Sequence, residues 1–398
     1  MKRLIAALLA AWMLAGLVLA EAGAETSFES VGPFKNGLAR VEQDGKFGYV
    51  DKSGALVIPC QWDAANNFSE GFAYVRIGDS DTGLYGLIDT AGAYVLPCEW
   101  NRIGSFQEGF AHVEKDGKIG FIDTTGALAI PCQWGTAGDF SEGLACVSVD
   151  GLYGYIDRTG ELVIPCQWES ASSFSEGLAC VAREGRSVYI DTDGTIVIPD
   201  QWTVKNPVAG NAAESGSTGP FLEGVAAASA WYHDDYWYGI LDRTGGITLF
   251  DKESGLRWRD AANDSFSEGL APVVNGNPNE AGTKYGYVDT AGEVIIPCQW
   301  EYASKFSEGI ARVRNDGLYG FIDTAGEYVS PCQWESSTTY FTDGVVAVRQ
   351  NGLWGAIDAT GELLIPCEYS SMRYGEGYFS CLKDGALIVL DREGNRVN

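Results

Sequence analysis

The chain has 398 residues, 45% of them hydrophobic, which is enough apolar matter for a sizeable core and too much for a disordered chain. Its formal charge of −27, from 54 acidic against 27 basic residues, argues against nucleic acid or anionic lipid as a partner, because phosphates would be repelled. Fifty-one glycines and 12% aromatic residues favour turn-rich β-structure over helices.

Residues 1–24, MKRLIAALLAAWMLAGLVLAEAGA, place two basic residues before an apolar run that ends in small residues. This predicts a secretory signal peptide cleaved after Ala20 or Ala24. The run from Leu4 to Ala20 is short for a membrane span, and nothing later is apolar enough to cross a bilayer. The chain is therefore expected to be secreted or held in the cell envelope, with no stable membrane span after cleavage.

A repeat follows. An Asp with a Gly three residues on occurs ten times, from Asp51 and Gly54 to Asp391 and Gly394, at intervals of 38, 34, 34, 34, 51, 47, 34, 35 and 33. Asp at the first position of a type I turn accepts backbone N–H groups, and Gly suits the last. Short β-like runs flank each turn, as YGYID and ELVIP do in unit four, and a VDG hairpin signal precedes them. Each unit of about 34 residues thus reads as three strands: Leu144 to Val147, Tyr153 to Asp157 and Leu162 to Pro165 in unit four. A glycine such as Gly48, Gly154 or Gly355 recurs inside the middle strand. It predicts a close neighbour over bare backbone, expected to be the Trp of the Gln-Trp segment: Trp62, Trp100, Trp134, Trp168, Trp300 or Trp334.

With its repeated F-x-E-G-L-A and G-x-I-D elements and the aromatic-Gly pair, literally Trp354-Gly355, the chain resembles the WG-repeat (KWG) proteins, a bacterial family of short tandem β-repeats. The resemblance covers nearly everything after the signal peptide. It implies tandem β-structure, often in exported proteins, and no particular reaction.

Two units carry another residue in the glycine slot, Val188 in the fifth and Ile388 in the tenth. Residues 203–220, TVKNPVAGNAAESGSTGP, read as a linker or long surface loop between repeats 1–5 in 25–202 and repeats 6–10 in 221–398. At the ends, Ser27-Phe28 aligns with the Gln-Trp of other units while the chain stops just before a Pro-Cys. Such a phase shift suits a closed propeller. The fold expected is all-β, a tandem array of ten three-stranded repeats with propeller-like closure as one ten-unit ring or two five-unit rings. An open β-solenoid is the alternative.

Seven of ten cysteines share one slot after proline, and the other three each follow by fourteen residues, which invites disulfides Cys132–Cys146, Cys166–Cys180 and Cys367–Cys381; small buried apolar cysteine is the competing reading. The recurrent acids, Glu70 to Glu376, sit in identical turns and read as turn chemistry rather than as an unlike catalytic pair. His112 reads as a tolerated strand side chain, and Asp79 with Asp81 as an ordinary acidic turn. No C-x-x-C pair occurs, and neither a metal nor a cofactor is predicted.

Variation concentrates in one hairpin, lengthened in units two, six and seven. Insertions at one point of a repeat fall on one face, where repeat proteins often bind. In unit six it carries Trp231, Tyr232, His233, Asp234, Asp235, Tyr236 and Trp237, a set able to stack on sugars or grip a peptide. The function expected is a non-enzymatic exported scaffold that binds a protein or glycan partner through its extended hairpins. The alternatives are a polysaccharide hydrolase or a purely structural envelope component.

Overall fold

The computed structural model describes residues 27–206, 212–232, 235–251, 254–258, 266–276 and 282–398. Residues 1–24, expected as a signal peptide, and the pair His233 and Asp234 lie outside them. Among the described residues there is no α-helix; the chain forms ten small sheets in sequence order.

Blade four shows how the repeat makes a blade. Its strands are Thr136–Ser141, Leu144–Val149, Leu152–Asp157 and Leu162–Trp168, paired antiparallel in that order. Three of them were expected. The fourth comes from the F-x-E-G element, which closes a two-residue hairpin between the first and second strands. Glu142 and Gly143 both have positive φ, 54° and 82°, the conformation whose twist matches the strands it joins. Asp150 and Gly151 repeat this turn between the second and third strands, at 52° and 81°. Asp157 then ends the third strand as predicted, its carboxylate accepting N–H bonds from Thr159 at 2.9 Å and Glu161 at 3.0 Å. In most blades the first strand is only two residues long, as at Ala64–Ala65, which is why hydrophobic patterning does not reveal it.

The strand glycine has a different visitor from the one expected. A Cβ on Gly48 would lie 2.5 Å from Ile58 O and 2.7 Å from Cys60 N, both backbone atoms of the fourth strand. There Phe47 pairs with Trp62 and Tyr49 with Ile58, so Pro59, Cys60 and Gln61 form a bulge that presses onto the bare glycine. Trp62 instead packs between blades, 1% exposed in a cluster with Tyr49, Phe68 and Val75. The bulge also places a proline on the edge strand of seven blades, which blunts pairing with other chains.

Among the described residues ten apolar clusters form the core, and each draws its members from two consecutive blades. The closing cluster joins Val31, Phe34 and Val41 of blade one to Leu382, Leu387 and Val389 of blade ten. One ten-bladed β-propeller results, which rules out two five-unit rings and an open stack. Phe28 fills the closing cluster in the place tryptophan takes elsewhere, its N–H bonded to Gly385 O at 2.8 Å. Val397 N–H donates to Val389 O at 2.8 Å, so the outer edge of blade ten is shared by both ends of the described chain.

The two exceptions to the glycine slot are the two blades whose fourth strand is broken. With Val188 in the slot, the fifth blade's edge strand stops at Ile198. The chain then crosses over as Gln201–Asn206, pairing with Ala212–Thr218 and, in parallel, with Gly246–Leu249 of blade six. Residues 203–220, expected as a linker or long loop, thus contribute to two strands, and these close the sheet of blade six into a five-stranded barrel.

Seven of the repeated glutamates tie a blade to the next. Glu108 accepts N–H bonds from Glu142 and Gly143 at 2.8 and 3.0 Å, Glu142 from Gly177, Glu268 from Gly309, and Glu308 from Asp343 and Gly344. Glu376 closes the circle on Asn36 and Gly37. A left-handed conformation costs a glutamate about 1–2 kcal/mol; a backbone bond to a charged acceptor returns about 1.5–3 kcal/mol. The side chain's reach to the neighbouring blade explains why glutamate stands where asparagine would be less strained.

Candidate functional site

Alternation along antiparallel strands puts the Glu-Gly turns and the Asp turns at one face of the ring and the Asp-Gly hairpins at the other. Arg158 and Arg243, both on Asp turns, accordingly pair with Glu108 and Glu176 of the preceding blade at 2.8 and 2.9 Å. The Arg158 and Arg243 bonds, helped by backbone N–H groups, hold both carboxyls below their ordinary range. The turn-chemistry reading of these acids matches this arrangement.

On the opposite face the hairpins are capped from within their own blade region. Glu169 accepts N–H bonds from Glu184 and Gly185 at 3.1 and 3.0 Å, and Glu335 one from Gly352 at 2.9 Å. The lengthened hairpin of blade two is closed by Asp79, which accepts from Asp81 N, Thr82 N and the Thr82 hydroxyl at 2.9, 2.7 and 3.0 Å. These bonds, the Thr82 N–H foremost, lower the Asp79 pKa. It is the ordinary acidic turn expected.

Blade six has the longest hairpin strands, Val225–Tyr232 and Asp235–Asp242. Trp231 pairs across it with Tyr236, and Ala230 with Trp237, so the two tryptophans sit on opposite faces. Trp237 packs against the core between blades five and six, beside Trp202 and Ala230. Trp231 is 52% exposed, its ring edge-on to Tyr236 at 5.5 Å; Tyr236 meets Tyr238 the same way, also at 5.5 Å. The Tyr236 hydroxyl is 2.5 Å from the Ser229 hydroxyl. Tyr232 pairs with Asp235 at the hairpin end. The candidate set is thus divided. Trp231 and Tyr236 share an open surface, Trp237 turns inward, and His233 and Asp234 lie outside the described residues.

Two clefts meet at Tyr236. One of about 460 Å³ is lined by Glu184, Arg186 and Ser187 of blade five, Ser215 on the inner strand of blade six, Trp231 and Tyr236. The other, of about 310 Å³, is bounded by Tyr236, Trp237, Tyr238, Phe250, Asp251 and Arg257. Ser215 is 4% exposed, and its hydroxyl has no hydrogen-bond partner among the described residues. Arg186 faces Asp200 at 3.4 Å. Sequence reasoning found the aromatic hairpin but not these walls, which neighbouring blades supply. The only hint was the two abnormal spacings, 51 and 47, around unit six.

His112 is more than a tolerated strand side chain. Its Nδ1 is 3.0 Å from Asp139 of the next blade, in a cleft of about 320 Å³ with Tyr74, Tyr85 and Arg102. The same slot bridges blades elsewhere: Arg40 donates to Ala65 O at 2.7 Å, Arg312 to Ser337 O at 3.1 Å and Ser380 to Gly32 O at 2.6 Å. The imidazole therefore occupies a position the fold uses to join neighbours.

All ten cysteines are free. The three expected disulfides do not form because their members face different interfaces. Cys132 packs between blades two and three, and Cys146 between four and five. Cys166 belongs to a different cluster from Cys180, as Cys367 does from Cys381. Burial pushes the Cys146 thiol up to about 12. Edge-strand thiols lie against second-strand carbonyls, Cys132 Sγ 3.8 Å from Val113 O and Cys166 Sγ 3.9 Å from Val147 O.

A family model described as WG containing repeat matches residues 25–47, 47–79, 85–118, 119–153, 153–186, 285–319, 319–354 and 354–385. No curated protein sequence matches the chain. Among solved structures, a eukaryotic initiation factor is similar at 11% identity and a TM-score of 0.48, over 83% of this chain and 96% of that one. Hsv2p of Kluyveromyces lactis is similar at 8% identity and a TM-score of 0.36, over 65% of this chain and 93% of that one.

Proposed function

Since the chain belongs to the WG-repeat family, whose repeats imply architecture rather than a reaction, we propose that it is an exported, non-catalytic scaffold. In this reading the extended hairpin of blade six is presented to a protein or glycan partner. The observation that carries it is the Trp231–Tyr236 pair, an exposed indole held edge-on to a second ring between two clefts. Exposed aromatic anchors on rigid elements contribute most of the energy in many binding surfaces. The non-catalytic part is supported by the repeated glutamates, which serve as like acceptors of backbone N–H groups and are not split into the unlike acid and base that glycoside hydrolysis needs. Export is supported by residues 1–24.

The test is affinity capture with the full exported chain and its Trp231→Ala variant. Loss of the captured partners in the variant is the expected result; retention of every partner rejects the hairpin as the site. Sequencing the N-terminus of the exported protein should find it beginning after Ala20 or Ala24.

A further inference from the structure

We propose that the cleft between blades five and six is a subsite for an uncharged pyranose unit, and that Tyr236 leads the same glycan chain into the second cleft. This rests on the binding reading above and names its ligand class.

A pyranose offers an apolar C–H face ringed by hydroxyls. It is recognised by one flat aromatic surface with hydrogen-bonding groups around its edge. Trp231 supplies that surface. It is 52% exposed, and Tyr236 holds it edge-on at 5.5 Å, which orients the indole without covering it. Glu184 and Arg186 line the same cleft and set hydrogen-bonding groups around its edge. A sugar hydroxyl, both donor and acceptor, can bond either one.

Charge narrows the class. Arg186 is matched by Asp200 at 3.4 Å, and the remaining charged wall is Glu184. A phosphate or a polyuronate would find a matched cation and an added anion, whereas a neutral polyol meets no such barrier. Size fits as well, since about 460 and 310 Å³ are ligand-pocket volumes. The two clefts share Tyr236 as a wall, and the second adds Tyr238 with the Arg257 guanidinium 6.0 Å from its ring centre. A chain of several units can therefore engage both, so affinity should rise with length.

The experiment is calorimetric titration of the full exported chain with neutral hexasaccharides (cello-, malto-, xylo-, manno- and chitohexaose), the matching disaccharides, and oligogalacturonate. At least one neutral hexasaccharide is expected to bind, at least tenfold more tightly than its disaccharide. Trp231→Ala should weaken it at least tenfold, Glu184→Ala severalfold, and Trp231→Phe much less, with unfolding temperatures unchanged in both Trp231 variants. Binding of oligogalacturonate alone, no binding of any neutral probe, or binding indifferent to Trp231→Ala would overturn the inference. If glycans fail while a captured protein partner still requires Trp231, the saccharide assignment falls and the scaffold reading stands. If capture is also indifferent to Trp231, both fall.

Discussion

The two faces of the ring use the same two-residue turn for different ends. At one face, all ten first turns, from Asn36-Gly37 to Glu376-Gly377, keep the same length, with φ of 50–57° at the Asn, Glu or Asp residue. Nine of these side chains bond the next blade, so a change of length would break two junctions at once. At the other face the acceptors bond hairpins of their own blade region, as Glu169 does with Gly185. Seven hairpins there are tight and three are extended, in blades two, six and seven. Positions committed to the ring are held fixed, and positions answerable only to themselves are free to acquire a ligand.

Insertion of Gly-Ser between Glu142 and Gly143 would break this contrast most forcefully. It should cost about 3 kcal/mol or more, the sum of two charge-assisted junctions, in denaturant unfolding. The same insertion between Asp150 and Gly151 should cost under about 1 kcal/mol, since loop entropy grows slowly with length. Equal costs would show that the faces do not differ. A smaller effect is expected from Glu376→Ala at the closing junction, which removes the acceptor of Asn36 and Gly37 for about 1.5–3 kcal/mol; the measurement is the unfolding midpoint, set beside that of Glu335→Ala at a hairpin.

Acid should act on the fixed face as well. Glu108 and Glu176 are held low mainly by Arg158 and Arg243, and Asp157 mainly by the Thr159 hydroxyl. A depressed folded pKa gives stability that is fully present above the unfolded carboxyl value of about 4 and lost as pH falls through the folded value. Unfolding midpoints measured from pH 6 down to about 3 should therefore decline, and less steeply in Arg158→Ala. The smallest effect on stability is expected from Trp231→Ala, within about 0.5 kcal/mol because the ring is exposed, although the same change should abolish partner capture.

Much of the fold was legible in the residues. Asp-x-x-Gly marks a turn by local chemistry alone, and the phase shift between Ser27-Phe28 and the chain end anticipated the shared edge of blade ten. The strand glycine was read correctly as a point of close approach, yet its visitor was assigned to a tryptophan ring. The bulge at Pro59 to Gln61 is a matter of register, and register is not written in composition. The aromatic hairpin of unit six could be picked out because it departs from nine sister copies. Ser215, Arg186 and Arg257 could not, because they reach the clefts only when blades five, six and seven stand side by side.

By itself, then, the amino-acid order determined what each unit must be: strands, reversals and a bare glycine, all set by interactions a few residues apart. Whether ten units close into one circle, which way a tryptophan faces and which hydroxyl is left unpaired were decided only in the assembled ring. Those outcomes depend on contacts between blades, and neighbouring blades meet through atoms 25 residues apart in the chain, as at Arg40 and Ala65, and 348 apart, as at Ser380 and Gly32.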